Sequence, residues 1–146
     1  MNQIPKAALY LGLAGLIPFV WGAVNVLYPP LANWTQMTAG GRFAGPYVQI
    51  FYGTVILSFM SGVLWGFAAK SQGASAYILS VIPALWAFLM ISGGPVTAAM
   101  NLIFGFLGLL LLDWYFWRHG LAPAWWMHFR ALLTAVVVAS LLLVVI

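Results

Sequence analysis

Asp113 is the only acidic residue in the chain, set against five Lys and Arg and two His, so proton transfer, metal binding and ion pairing have very few groups to draw on. An ionisable side chain inside a membrane helix costs roughly 2.5–3.5 kcal/mol at the helix centre unless it is paired or reaches water. Asp113 therefore needs a partner, and Lys70, Arg118 and Arg130 fall towards the same end of the apolar segments, where an ion pair is a sufficient explanation for it. His119 and His128 flank one short turn and could ligate a metal or haem from two helix ends. Haem ligands in a bundle sit within facing helices, however, whereas these two adjoin Trp and Arg as interfacial side chains do. No metal site is expected, and no cofactor is assigned. Cysteine is absent, which excludes thiolate nucleophiles, disulfides and iron–sulfur ligation. No catalytic triad, carboxylate pair or phosphate loop is present, and the expectation is a protein that is not an enzyme.

A second group of residues bears on binding rather than reaction. Pro18 and Pro83 fall inside apolar segments, where each removes a backbone donor and leaves the carbonyl four residues earlier, of Ala14 and of Leu79, without its usual bond. Two kinked helices can open a cavity, and with Trp21, Trp65 and Trp86 nearby these prolines mark a candidate ligand cavity between the first three helices. Ser58, Gly62 and Gly66 recur every fourth residue, with Ser61 widening the same smooth face, a pattern that lets another helix approach closely. The pattern alone leaves open whether that helix lies in this chain or in another. Asn25 and Asn101 are amides placed to hydrogen-bond between helices. Asn33-Trp34-Thr35 matches a glycosylation sequon, which without a secretory context reads as chance.

These residues are set in a chain that is 65% hydrophobic and 4% charged, where water-soluble proteins carry about a quarter charged residues. Lipid is the solvent such a composition requires. The net charge of +4 reflects missing acids rather than a basic face, which excludes a nucleic-acid footprint. A spanning helix needs about 20 apolar residues, and five segments qualify: Ala7 to Tyr28, Pro46 to Ala69, Ala76 to Ser92, Val96 to Trp117 and Met127 to Ile146. Pro29-Pro30, Gly40-Gly41, Gly45-Pro46, Ser71-Gln72-Gly73, Gly93-Gly94-Pro95 and Gly120 to Pro123 separate them with turn-forming sequence. The connection from Pro29 to Gly45 is long enough for a short interfacial helix. The expected fold is all-α, a polytopic bundle of five transmembrane helices forming a single domain over residues 1–146. Met1 to Lys6 leads directly into a long apolar stretch, unlike a cleaved secretory leader, so the first helix is expected to be retained.

Basic residues are held on the cytoplasmic side of a membrane. Five spans put Lys6, Lys70, Arg118 and Arg130 on one side and Arg42 alone on the other, which predicts a cytoplasmic amino terminus and a periplasmic carboxyl terminus. Trp114, Trp117, Trp125 and Trp126 at the cytoplasmic end, and Trp34 at the outer one, read as interfacial anchors.

Two long stretches, Leu11-Gly12-Leu13-Ala14-Gly15-Leu16-Ile17-Pro18-Phe19 and Tyr52 through Gly66, are joined by Leu79 to Pro83, by Leu111-Leu112-Asp113 and by the run from Leu121 to Thr134. Together they resemble an uncharacterised bacterial inner-membrane family, a domain of unknown function related to a small mitochondrial transmembrane protein, over nearly the whole chain. The family pattern has a histidine where this sequence has Leu64, so no role for that histidine carries over. The resemblance implies placement in a bacterial or mitochondrial inner membrane and no particular activity. A five-helix, tryptophan-rich sensory family that binds porphyrins and sterols is similar in length and aromatic content, but its helix motifs are absent.

Two functions fit these residues. The first is a non-enzymatic accessory or assembly component of a larger respiratory or photosynthetic membrane complex, with other integral membrane proteins as partners besides the lipid bilayer. The alternative is a binder or carrier of a hydrophobic small molecule: a quinone, tetrapyrrole, sterol or lipid. An ion or proton pathway would need polar residues lined across the bilayer, and only scattered Asn, Ser and Thr are on offer.

Overall fold

A computed structural model describes residues 3–146; the first two residues of the leading segment lie outside the described residues. The chain runs as α1 (Lys6–Ala14), α2 (Ile17–Leu27), α3 (Pro29–Thr38), a short 3-10 turn (Gly41–Phe43), α4 (Tyr47–Ala68), α5 (Ser75–Met90), α6 (Pro95–Arg118) and α7 (Trp126–Val145). It is an all-α helix bundle, with no strand among the described residues. Among the described residues four stretches are long and apolar enough to cross a membrane: Lys6–Leu27, Tyr47–Ala68, Pro95–Arg118 and Trp126–Val145. α5 is apolar but has only 16 residues, about 24 Å at 1.5 Å per residue against a hydrocarbon core of about 30 Å.

The first span is broken rather than bent. Leu16 N–H turns back to the Leu13 carbonyl at 3.1 Å, a tightened turn, and Pro18 becomes the second residue of a new helix. Proline is well tolerated there because that position's N–H has no helical acceptor. Pro83 stays inside α5, and the irregularity is met from the neighbouring helix: Ser61 of α4 accepts a hydrogen bond from the Ala84 N–H at 2.8 Å. Ser61 thus faces inward, onto α5.

α4 and α6 pack against each other at the centre, with α5 along one side of the pair and α2 and α7 along the other. Missing side chains allow the close approach. A Cβ at Gly105 of α6 would meet Leu57 and the Trp86 indole at 2.8 Å, and one at Gly53 of α4 would meet Leu102 at 3.1 Å. Phe19, Leu57, Leu64, Leu102, Phe106, Phe116 and Leu141 are completely enclosed, with Phe19 edge-on to both Tyr52 and Phe106. Large apolar residues such as Leu27, Phe88 and Leu111 point outward, as a bundle in lipid requires, since its outer surface needs no polar cover.

The turn between α6 and α7 positions the site. Gly120, at φ 74°, takes the left-handed conformation that glycine adopts without strain. The Gly120 N–H then reaches the Trp117 carbonyl at 3.2 Å and the Leu121 N–H reaches Phe116 at 2.9 Å, the paired bonds of a Schellman stop. Trp117 Nε1 donates to the Ala124 carbonyl at 3.0 Å, and Lys70 Nζ, from the end of α4, donates to the Leu121 carbonyl at 3.3 Å. The reversal lays the first two turns of α7 beside the last two of α6.

Candidate functional site

Asp113 lies five residues before the end of α6, about 7–8 Å inside it, and is completely buried. Each carboxylate oxygen has one donor from α7: Trp126 Nε1 to Oδ1 at 2.9 Å and Arg130 Nε to Oδ2 at 2.9 Å. Trp126 and Arg130 are four residues apart and so share a helix face. Arg130 itself is nearly buried, its side chain 6% exposed. Of the three cations expected near Asp113, the structure brings up Arg130 alone. Lys70 is held by the Leu121 carbonyl and lies over the Phe67 ring, while Arg118 lies over the exposed Trp114. Both stand at helix ends and are exposed.

The same face of α7 continues through Thr134 and forms one wall of a groove of about 560 Å³. α1, the turn after it and the start of α2 roof it with Leu11, Gly12, Gly15, Leu16 and Phe19; α4 contributes Ile56, Met60 and Val63; and Trp125, Trp126, Phe129 and Arg130 also line it. Gly12 is what lets α1 lie this close, since a Cβ there would run into the Phe129 ring. Thr134 is 3% exposed, and its hydroxyl has no hydrogen-bond partner. Arg130 uses Nε alone on Asp113; among the described residues its Nη groups meet no protein acceptor.

The cavity expected between the first three helices is not formed, because α5 lies on the far side of the α4–α6 pair from α2. Its five residues are dispersed. Trp21 donates to the Phe43 carbonyl at 2.9 Å; Trp65 is 51% exposed and packs edge-on to Tyr77; Pro83 is buried in α5; Trp86 donates to the Asn101 carbonyl at 2.7 Å. Pro18 borders a separate hollow of about 700 Å³ beside Arg42, Phe51 and the α5–α6 turn.

The small-residue face divides in two. Ser61 is buried against α5, whereas Ser58, Gly62 and Gly66 look outward, with nothing within contact distance of a Cβ at either glycine. His119 and His128 are exposed, and His119 Nδ1 bonds its own helix at the Tyr115 carbonyl. Trp126, expected as an interfacial anchor, is buried on Asp113 instead. Sequence reasoning passed over Thr134 and Gln49. The spacing Trp126, Arg130, Thr134, one side chain per turn, was the available signal for the former. Gln49, completely buried, packs where Gly22 lacks a side chain and donates from Nε2 to the Ser140 carbonyl at 2.8 Å; nothing in its local sequence marks it.

Residues 4–146 match the family described as protein of unknown function (DUF3429). The chain is 35% identical to Transmembrane protein 69 of Xenopus tropicalis over 158 aligned positions, covering 97% of this chain and 54% of that protein. It is 34% identical to Transmembrane protein 69 of Mus musculus over 118 positions, covering 73% of this chain and 42% of that one. The chain thus spans about half the length of these relatives. No solved structure matches it. A membrane-spanning bundle whose sequence matches from Ile4 to the last residue belongs to the DUF3429 family of unknown function.

Proposed function

We propose that the protein is a non-enzymatic, multi-pass protein of a bacterial inner membrane that holds a hydrophobic small molecule in the groove beneath α1. The observation that carries this reading is the groove itself, about 560 Å³ with apolar walls and with Arg130 and Thr134 on one side. Small-molecule sites occupy roughly 300–1,000 Å³ and combine apolar burial with a few convergent polar groups that orient the ligand. The roof supports the reading too. α1 buries no side chain completely and joins α2 at a break, so it can lift while the α4–α6 centre stays packed. A quinone, tetrapyrrole, sterol or lipid are the ligand classes in question. Trp125 and Trp126 line the groove, so titrating the purified protein with members of each class should give a saturable change in Trp fluorescence. No saturable change with any of them, in protein that carries no co-extracted molecule, overturns the reading.

A second reading, an accessory or assembly component of a respiratory or photosynthetic complex, is favoured by the outward Ser58, Gly62 and Gly66, where a helix of another protein could approach. Gly62→Leu and Gly66→Leu should then abolish co-purification of that protein; unchanged recovery counts against it. In either case Lys6, Lys70 and Arg118, opposed by Arg42 alone, support a cytoplasmic amino terminus and a periplasmic carboxyl terminus.

A further inference from the structure

Arg130 has five N–H donors and spends one on Asp113, through Nε at 2.9 Å. The edge bearing the Nη groups is left without a protein acceptor among the described residues, on a side chain that lines the groove. One turn further along α7, Thr134 lines the same groove and has a buried hydroxyl with no partner. An enclosed hydroxyl without a partner and a guanidinium edge without a protein acceptor, on side chains more than nine-tenths buried, sit in an otherwise apolar wall. Leaving the enclosed Thr134 hydroxyl unpaired is costly, and an oxygen-bearing ligand would give both groups a partner.

Charge decides which oxygen. Asp113 is the only acid in the chain, and it is already engaged by Trp126 and Arg130, so no carboxylate competes for the Nη edge. A guanidinium edge matches a pair of anionic oxygens, which it can bind through two parallel hydrogen bonds. Resting on the reading of the groove as a lipophilic site, we propose that its ligand is an amphiphile with an anionic head, a carboxylate or a phosphate. The head oxygens bond to Arg130 Nη and Thr134 Oγ, and the hydrocarbon chain lies under α1 along Gly12, Gly15 and Ile56. Free fatty acids and anionic phospholipids share this chemistry.

The test is native mass spectrometry of the full chain in mild detergent, offered palmitate, methyl palmitate, phosphatidylglycerol, diacylglycerol and decylubiquinone separately. The expected result is retention of palmitate, phosphatidylglycerol or both in preference to the uncharged compounds, and the pattern between the two tells which source supplies the head. Thr134→Val keeps the shape, removes only the hydroxyl and should weaken retention about tenfold, the scale of one hydrogen bond to a charged group. Asp113→Asn/Arg130→Gln removes both charges together, so that no lone buried ion unfolds the bundle, and should abolish the preference for charged heads. Methyl palmitate, diacylglycerol or decylubiquinone held as tightly as the anions, with no response to these substitutions, overturns the anionic head and leaves a lipophilic groove. Retention of none of the five, with no saturable Trp fluorescence change, overturns both.

Discussion

Arg130 Nε donates to Asp113 Oδ2 at 2.9 Å, joining the second turn of α7 to the end of α6 inside the bundle. Both side chains are almost removed from solvent, and a buried pair broken on one side leaves a bare charge that typically costs about 3–5 kcal/mol. Asp113→Ala should therefore lower thermal stability in detergent by about that amount. Asp113→Leu/Arg130→Met, which removes both charges, should lose less than Asp113→Ala alone; a double variant at least as unstable as the single one contradicts the pairing.

Gly12 allows α1 to lie on Phe129. Gly12→Leu should lift α1 from the groove without unfolding the rest, since α1 contributes no completely buried side chain. Hydrogen exchange of the purified variant should show faster exchange over Lys6–Ala14 and unchanged protection in α4 and α6.

Ser61 accepts the Ala84 N–H beside Pro83, a bond between helices worth about 1 kcal/mol or less. Ser61→Ala should cost that much in the native background and less once Pro83→Ala restores a regular turn. A double-mutant cycle on thermal stability measures the coupling; strict additivity contradicts it.

Two glycines in one bundle should respond oppositely. At Gly105 an added Cβ meets Leu57 and Trp86 at 2.8 Å, whereas at Gly62 it meets nothing. Gly105→Ala should destabilise the isolated protein by about 1–3 kcal/mol through overpacking, and Gly62→Ala should be neutral or better, as for glycine replaced in an open helix position.

The spans were legible because the bilayer imposes a length and the composition leaves few other segments. The expected Pro46 to Ala69 and Val96 to Trp117 differ by one residue at each end from α4 and α6. Pro18 and Pro83 were both readable as interruptions, but whether an interruption bends or breaks a helix depends on its neighbours: Gly15 and Leu16 form a turn before Pro18, and Ser61 supports Pro83 from outside its helix. That Asp113 needs a partner followed from one acid in an apolar segment. Choosing Arg130 over Lys70 and Arg118 required the rotation of α7 against α6, which the Gly120 turn sets and which hydropathy does not encode. The cavity was misplaced for a related reason. Chain order puts α5 next to α4, but only packing reveals that α5 and α2 lie on opposite sides of α4 and α6.

The most direct test of the lipophilic groove is native mass spectrometry of the protein released gently from the membranes in which it was made. The account predicts a mass above that of the bare chain, with a hydrophobic molecule retained at one per protein and retained about tenfold more weakly in Thr134→Val. The bare chain mass under conditions that preserve other lipid complexes, with Thr134→Val indistinguishable from the parent, would contradict it.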